Sequence, residues 1–525
     1  MRSDAFAIGD LPVGAAASAR PIFDSQELES TPIGTIIAPL GDYVLVWDED
    51  CLPPSKLEPW RHMADPLADD VVRTLGLKAG QDGLQRILEH LKLPESEQSE
   101  SIKEFWAQIA RDPPPGVSAV PSHDKTYTPR STLATPNYTP PPTLAEGQAI
   151  FWRYSVQIFS ALLHFSLAGG FSANRVMNVL RETSYLTGES RDRTYKRLLE
   201  TTQAIMDYMN DMTPVTGTGW MSAIRVRLLH ASVRVRIAAG MGMKKVYDDK
   251  VDGIPINQED MLATLGSFAI APLWSLRRMG FKLSSEEEAA YVATWRHIGY
   301  YLGIPSDKLA QHYSTVQRAE KLFVSNTMHL FNLDYITDDY RSTHTYRLLA
   351  SVSNRPPRYN KVESSLAMSR FLLGDGLADR LALPPTPRLS AIKMHAGFWA
   401  ERGMKAFGRA YRVGWEVKRI EMTRMLVLMI VCWQLGDRRT KFTIKEFAEE
   451  LDKLDIPREK GEVKEQKEVN PDDDELDPEV RMGPEAGKAI VKRWKWLLIE
   501  MGAVVGGVGL GLAGVGYFAV RRYLL

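Results

Sequence analysis

The chain has 525 residues with 65 Lys+Arg against 65 Asp+Glu, so no basic excess points to nucleic acid. Its hydrophobic share of 44% is that of an ordinary globular chain and ample for a sizeable core. The only two cysteines, Cys51 and Cys432, lie far apart, which excludes a disulfide scaffold and suits a reducing compartment.

Residues 1–35 are small, polar and Pro-containing, and are expected to be mobile; Asp4 and Asp10 interrupt any signal-peptide pattern. Tyr43-Val-Leu-Val-Trp47 is the one strand-like run near the start, inside an otherwise helical region over 36–112. Helical patterns fall at Asp69–Leu77, Leu84–Leu93 and Ser99–Arg111. Residues 113–143, with Pro113-Pro-Pro115 and Pro140-Pro-Pro142, read as an extended crossing segment.

A helical body is expected over 144–440. Tyr154–Ala173 lacks Asp, Glu, Lys and Arg, so a membrane span must be weighed. Gly169-Gly170, Gln157 and His164 favour a buried core helix instead. Met221–Ala239 contains neither Pro nor Gly and reads as a helix, as do Glu286–Leu302, Lys308–Phe331 and Thr423–Leu435.

Residues 446–485 form a charged linker, dominated by Glu, Lys and Asp between Glu446 and Asp477. Met501–Val520 then runs without a charge, close to the length that crosses a bilayer. Trp494 and Trp496 precede it and Tyr523 follows, as interfacial aromatics do. A transmembrane tail anchor over 497–520 is expected. Lys488, Lys492, Arg493 and Lys495 outnumber Arg521 and Arg522, which leaves the body facing the cytosol.

The most informative stretch is Arg227-Leu-Leu-His230-Ala-Ser-Val-Arg234. At helical spacing Arg227, His230 and Arg234 share one face. A neutral imidazole flanked by two fixed cations suits a haem, the imidazole ligating iron and the guanidiniums pairing with propionates. A lone histidine on a half-apolar helix is more commonly a satisfied core residue, so the pattern needs support from elsewhere. Two polar clusters stand before it. One is Arg181-Glu182-Thr183; in the other Arg197, Glu200 and Thr201 share a face, as surface charge or as a base, a cation and a hydroxyl in a pocket. The chain has no GxSxG, CxxC pair, HExxH or phosphate-binding loop, and no dinucleotide fingerprint after a strand.

The helix around His230 resembles the haem-ligand helix of the latex-clearing proteins (rubber oxygenases), a broad family that includes the fungal endoplasmic-reticulum-bound oxygenases of the MpaB type. Arg181–Gly188, Arg193–Thr202, Gly253-Ile-Pro-Ile-Asn257-Gln-Glu-Asp260 and Trp295–Ile304 are similar as well, over roughly residues 145–385. The resemblance implies an all-α, globin-like body holding one haem b, with His230 as the metal ligand and Arg227 and Arg234 at the haem edge. It implies dioxygen-dependent cleavage of a carbon–carbon double bond in an isoprenoid-like lipophilic substrate. Arg197 and Thr201 would match distal-pocket residues and Glu182 a carboxylate base. The chain departs from latex-clearing proteins where they carry a distal Lys, because Glu200 stands there. The resemblance places the protein at the endoplasmic reticulum membrane; the span followed by two arginines equally suits the mitochondrial outer membrane. Two rivals remain: an anchored protein that holds haem or lipid without turnover, and a haem-free scaffold descended from the same fold.

Overall fold

A computed structural model describes residues 6–9, 11, 18–39, 41–119, 143–183, 191–241, 246–331, 340–355, 359–411, 413–435, 439–444, 489 and 492–507. The protein is mostly helical and divides into two compact units. The first comprises residues 1–391 and 440–466; the second comprises 392–439 and 467–525.

The expectation of an all-α body needs one correction. The first unit carries a four-stranded sheet, β1 (Phe6–Ala7), β2 (Arg20–Ile22), β3 (Ile36–Pro39) and β4 (Tyr43–Val46), in the order β1-β4-β3-β2. The β3–β4 pair is antiparallel; β1 lies parallel to β4, and β2 parallel to β3. Strands β1 and β2 therefore order part of the 1–35 segment expected to be mobile. The apolar side chains of Ile37, Val44 and Leu45 are almost fully buried. Tyr43 ties the sheet to the helices: its ring stacks on Trp274 at 5.0 Å, and its hydroxyl donates to the Leu372 carbonyl.

The helical body follows the sequence with two informative breaks. The helix Leu144–Arg153 opens with a capping box between Thr143 and Glu146 and packs on Ser285–Tyr301. Gly147 permits that contact, because a Cβ there would lie 1.9 Å from Thr294 Oγ1. The apolar run read as a core helix over Tyr154–Ala173 starts as Ser155–Ala161, widens into a π-helical turn over Leu162–Leu167 and stops at Gly170. Likewise Lys308–Phe331 is two helices, Ser306–His312 and Val316–Leu330. Thr315 caps the second by accepting from the Arg318 amide at 3.2 Å.

Among the described residues no single helix is long and apolar enough to cross a membrane. The bent pair Ser155–Gly170 and Asn174–Glu182 passes by length and composition, with 97° between its halves. Ile158, Ala161, Phe165 and Ala168 are buried within the first unit, as a core segment requires. The expected tail span lies largely outside the described residues, which show helix over 492–507. Most of the Pro-rich segment and the acidic linker also lie outside them. In the second unit the helix Arg388–Tyr411, whose first turn belongs to the first unit, is followed by Val413–Gln434.

Candidate functional site

His230 sits on the helix Thr218–Ala238, which starts where Gly219 lets the chain approach the Asp207 and Asp211 carbonyls. A Cβ at Gly219 would lie 2.4 Å from the first and 2.7 Å from the second. Ser222 donates to Asp207 Oδ2 at 2.7 Å, joining this helix to its predecessor Arg191–Tyr208. Glu200 lies seven residues before that junction and His230 eight after it, so each is about 10–12 Å along its own helix from the same point. The two sequence clusters are thus carried by packed neighbours. Ala223, Ile224, Leu228 and Ala231 are fully buried and fix the rotation of the His230 helix.

The expected face forms, and it has partners that the sequence reading missed. Arg227 donates to Asp65 through Nε at 2.6 Å and Nη2 at 3.0 Å, and Nη2 also reaches Gln108 Oε1 at 2.9 Å. Arg234 donates through Nε to Asp69 at 2.8 Å and through Nη1 to the Ile256 carbonyl at 3.4 Å. All four charged side chains are buried. Asp65 caps the helix Pro66–Leu75 and Asp69 follows one turn later, so two acids on one helix match two arginines on the other. Burial works to raise the Asp65 carboxyl, but Arg227, with help from Arg234, brings it below the usual carboxylate range. At Asp69 burial outweighs Arg234 and the carboxyl lies above that range. Gly303 (φ +95°) leaves room for this pairing: a Cβ there would lie 2.3 Å from Asp65 Oδ2 and 2.8 Å from Arg227 Nε.

Between the two ion pairs stands His230. Burial, reinforced by Arg234 and opposed by Asp65, lowers its pKa to about 4, so the imidazole is neutral at physiological pH. Its Nδ1 is sealed from solvent and has no hydrogen-bond partner. Arg227 Nη1 and Arg234 Nη2 are sealed and unpartnered as well. Each buried orphan costs about 1–3 kcal/mol, so three on one helical face mark a place where a further group is expected. The set fits a haem: a neutral imidazole for the metal and one free N–H on each side for anionic substituents. The guanidiniums would offer one nitrogen each, because the others are committed to Asp65 and Gln108 in Arg227, and to Asp69 and the Ile256 carbonyl in Arg234.

On the neighbouring helix Arg197 and Glu200 form an ion pair at 2.7 Å, with Glu200 buried. The Thr201 hydroxyl donates to the Arg197 carbonyl at 3.1 Å. Glu182 lies at the end of the helix Asn174–Glu182. It is almost fully buried, and Oε1 accepts from the amides of Val246 and of Tyr247, the latter at 3.0 Å. These amide bonds occupy Oε1 of the carboxylate. Leu198 and Leu180, with Leu163 and Leu167 of the π-helical turn, pack partly buried against Phe171, Met177 and Leu348. Next to Leu163, His164 bonds through Nδ1 to the Ser160 carbonyl at 2.9 Å, and burial lowers its pKa to about 4.

The residues recognised by similarity acquire physical reasons. Gly253 (φ +79°) lies against the Arg61 carbonyl, and Asn257 with Asp260 forms a capping box for Gln258–Ala269. Residues 152–404 match the family described as ER-bound oxygenase mpaB/B'/Rubber oxygenase, catalytic domain. The solved structure of latex clearing protein in the closed state matches with a TM-score of 0.48 and 16% identity, over 74% of this chain and 95% of the other. No curated protein matches.

Proposed function

We propose, for a chain that belongs through residues 152–404 to the ER-bound oxygenase mpaB/B' and rubber oxygenase family, a haem b-dependent oxygenase that cleaves a carbon–carbon double bond in an isoprenoid or similar lipophilic substrate. The observation that carries the haem assignment is the row of orphaned polar atoms, Arg227 Nη1, His230 Nδ1 and Arg234 Nη2, on one helix face. His230 would ligate the metal, and the free N–H groups of Arg227 and Arg234 would meet the propionates. Haem supplies dioxygen binding and redox chemistry when bound. The chain supplies the rest. Asp65 and Asp69 hold the two guanidiniums in place, and the fall of the His230 pKa keeps its lone pair available at neutral pH.

On the substrate side, Leu163, Leu167, Leu180 and Leu198 offer apolar contact to a hydrocarbon chain. Glu200 and Thr201 present a carboxylate and a hydroxyl. Arg197 sets the position of Glu200 and balances its charge. The tail span over 497–520 would keep the cytosol-facing body at the endoplasmic reticulum membrane, where such a substrate partitions. Organelle fractionation separates that location from the mitochondrial outer membrane.

The reading is tested by dioxygen uptake and carbonyl products from polyprenyl alkenes supplied in detergent or lipid. Uptake coupled to fragments with new carbonyl groups supports it. The Arg197–Glu200 pair favours one second reading, a haem or lipid carrier without turnover, because a carboxylate stands where the family's distal lysine is expected. Bound haem with no uptake across such alkenes selects that alternative.

A further inference from the structure

The chain as a whole is charge-balanced, yet its cations are not evenly spread. Between Arg388 and Gln434 there are nine basic residues (388, 393, 402, 405, 409, 412, 418, 419 and 424) against three acids, Glu401, Glu416 and Glu421. The first helix of this stretch, Arg388–Tyr411, is buried at Phe398, Lys405 and Gly408. Its other side is open. Leu389, Ile392 and Trp399 are 63%, 65% and 70% exposed. With exposed Ala396 and Gly403 they recur at 389, 392, 396, 399 and 403, a single apolar stripe at helical spacing.

Cations border that stripe. Arg388 and Lys393 are exposed beside it, and the Arg402 guanidinium lies 4.2 Å from the Trp399 ring centroid. Three large apolar side chains this exposed, on one face of a long helix, are unusual for a surface that meets only water. A protein partner with an apolar groove would match the stripe but not the flanking cations Arg388, Lys393 and Arg402. A bilayer carrying anionic headgroups matches both: acyl chains take Leu389, Ile392 and Trp399, while headgroups take the flanking cations. The second unit repeats the chemistry over 492–507, where Trp496, Leu498 and Ile499 are exposed beside Lys492, Arg493 and Lys495.

We propose that the Arg388–Tyr411 helix lies flat on an anionic lipid surface, apolar stripe downward, as a docking element separate from the tail span. The inference rests on the reading of the protein as membrane-bound but is independent of haem and of the oxygenase chemistry. Its effect would be to set how the body meets the bilayer from which a lipophilic substrate enters.

Cys51 and Cys432 are both buried, so an Ile392→Cys variant of the full chain takes a polarity-sensitive thiol label at one exposed position. The labelled protein is mixed with vesicles of phosphatidylcholine alone, or with roughly one third phosphatidylserine, and its flotation is measured alongside label emission. The proposal expects blue-shifted emission, quenched by lipid-borne quenchers, with the anionic vesicles and much less with neutral ones. Arg388→Gln with Lys393→Gln should weaken docking by about 25-fold, at about fivefold per cation, while flotation through the tail persists. Flotation with the label still in water overturns the docking helix and leaves membrane attachment standing. Failure to float overturns both. A blue shift without lipid that grows with protein concentration assigns the stripe to a second copy of the chain and also overturns the proposal.

Discussion

Replacing Asp65 by Asn tests whether the ion pairs beside His230 organise the site. Arg227 engages both oxygens of Asp65, at 2.6 and 3.0 Å, and neither side chain is more than 8% exposed. The Asn side chain keeps the volume and can still accept from the Ala68 amide, as Asp65 does at 3.4 Å, so most of the helix cap survives. What is lost is the negative charge facing a buried guanidinium. Breaking a buried pair from one side typically costs about 3–5 kcal/mol, because the remaining charge stays desolvated. Retention of one acceptor puts the expected cost of Asp65→Asn near the lower end, about 3 kcal/mol. Arg227→Met removes the stranded charge, so the double variant should recover at least about 2 kcal/mol relative to the sum of the single variants. Denaturant unfolding of the four proteins, followed by tryptophan fluorescence, gives the cycle. A cost below about 1 kcal/mol for Asp65→Asn, or strict additivity in the double variant, would refute this account of the pair.

Three further expectations rest on the same geometry. Gly303→Ala must displace Asp65 Oδ2 or Arg227 Nε and imposes a side chain at φ +95°, so it should destabilise by about 2–4 kcal/mol; an unchanged thermal midpoint would contradict the close approach. Burial lowers the pKa of His164 and His230 to about 4 and that of His297 to about 3, all below the usual histidine value. Their folded-state values lie below the unfolded one, so the unfolded state takes up protons first as pH falls below about 6.5. Stability is therefore complete above that pH and should drop by about 2 kcal/mol per histidine between pH 7 and 5; a flat profile over that interval would contradict the buried neutral rings. Glu200→Gln cuts the pair with Arg197 and should leave haem content unchanged while lowering turnover by about a hundredfold. Equal turnover would remove Glu200 from the reaction.

The helices were legible because their apolar positions recur at helical spacing over many residues. The helix Thr218–Ala238 extends the Pro- and Gly-free run by only a few residues at its start. Strands β1 to β3 were missed because they are two to four residues long, and Pro21 and Pro39 interrupt the usual strand signal. The π-helical turn left no trace in composition, since a wider turn changes hydrogen bonding rather than residue type. At the site, the shared face of Arg227, His230 and Arg234 followed from spacing. Their partners did not. Asp65 and Asp69 lie 162 and 165 residues away in sequence, and the only local hint was two acids one turn apart at the start of an amphipathic helix. The partners of Glu182 were hidden for a related reason: the backbone amides it accepts from lie more than sixty residues downstream.

The central claim is that His230 holds a haem. Its most direct test is the absorption spectrum of the full chain, purified in detergent after expression with ample haem supply, beside His230→Ala. A Soret band is expected in the wild type and should disappear in the variant while the far-ultraviolet helical signal is preserved. A wild type without a Soret band, or a variant that retains full haem content, would contradict it.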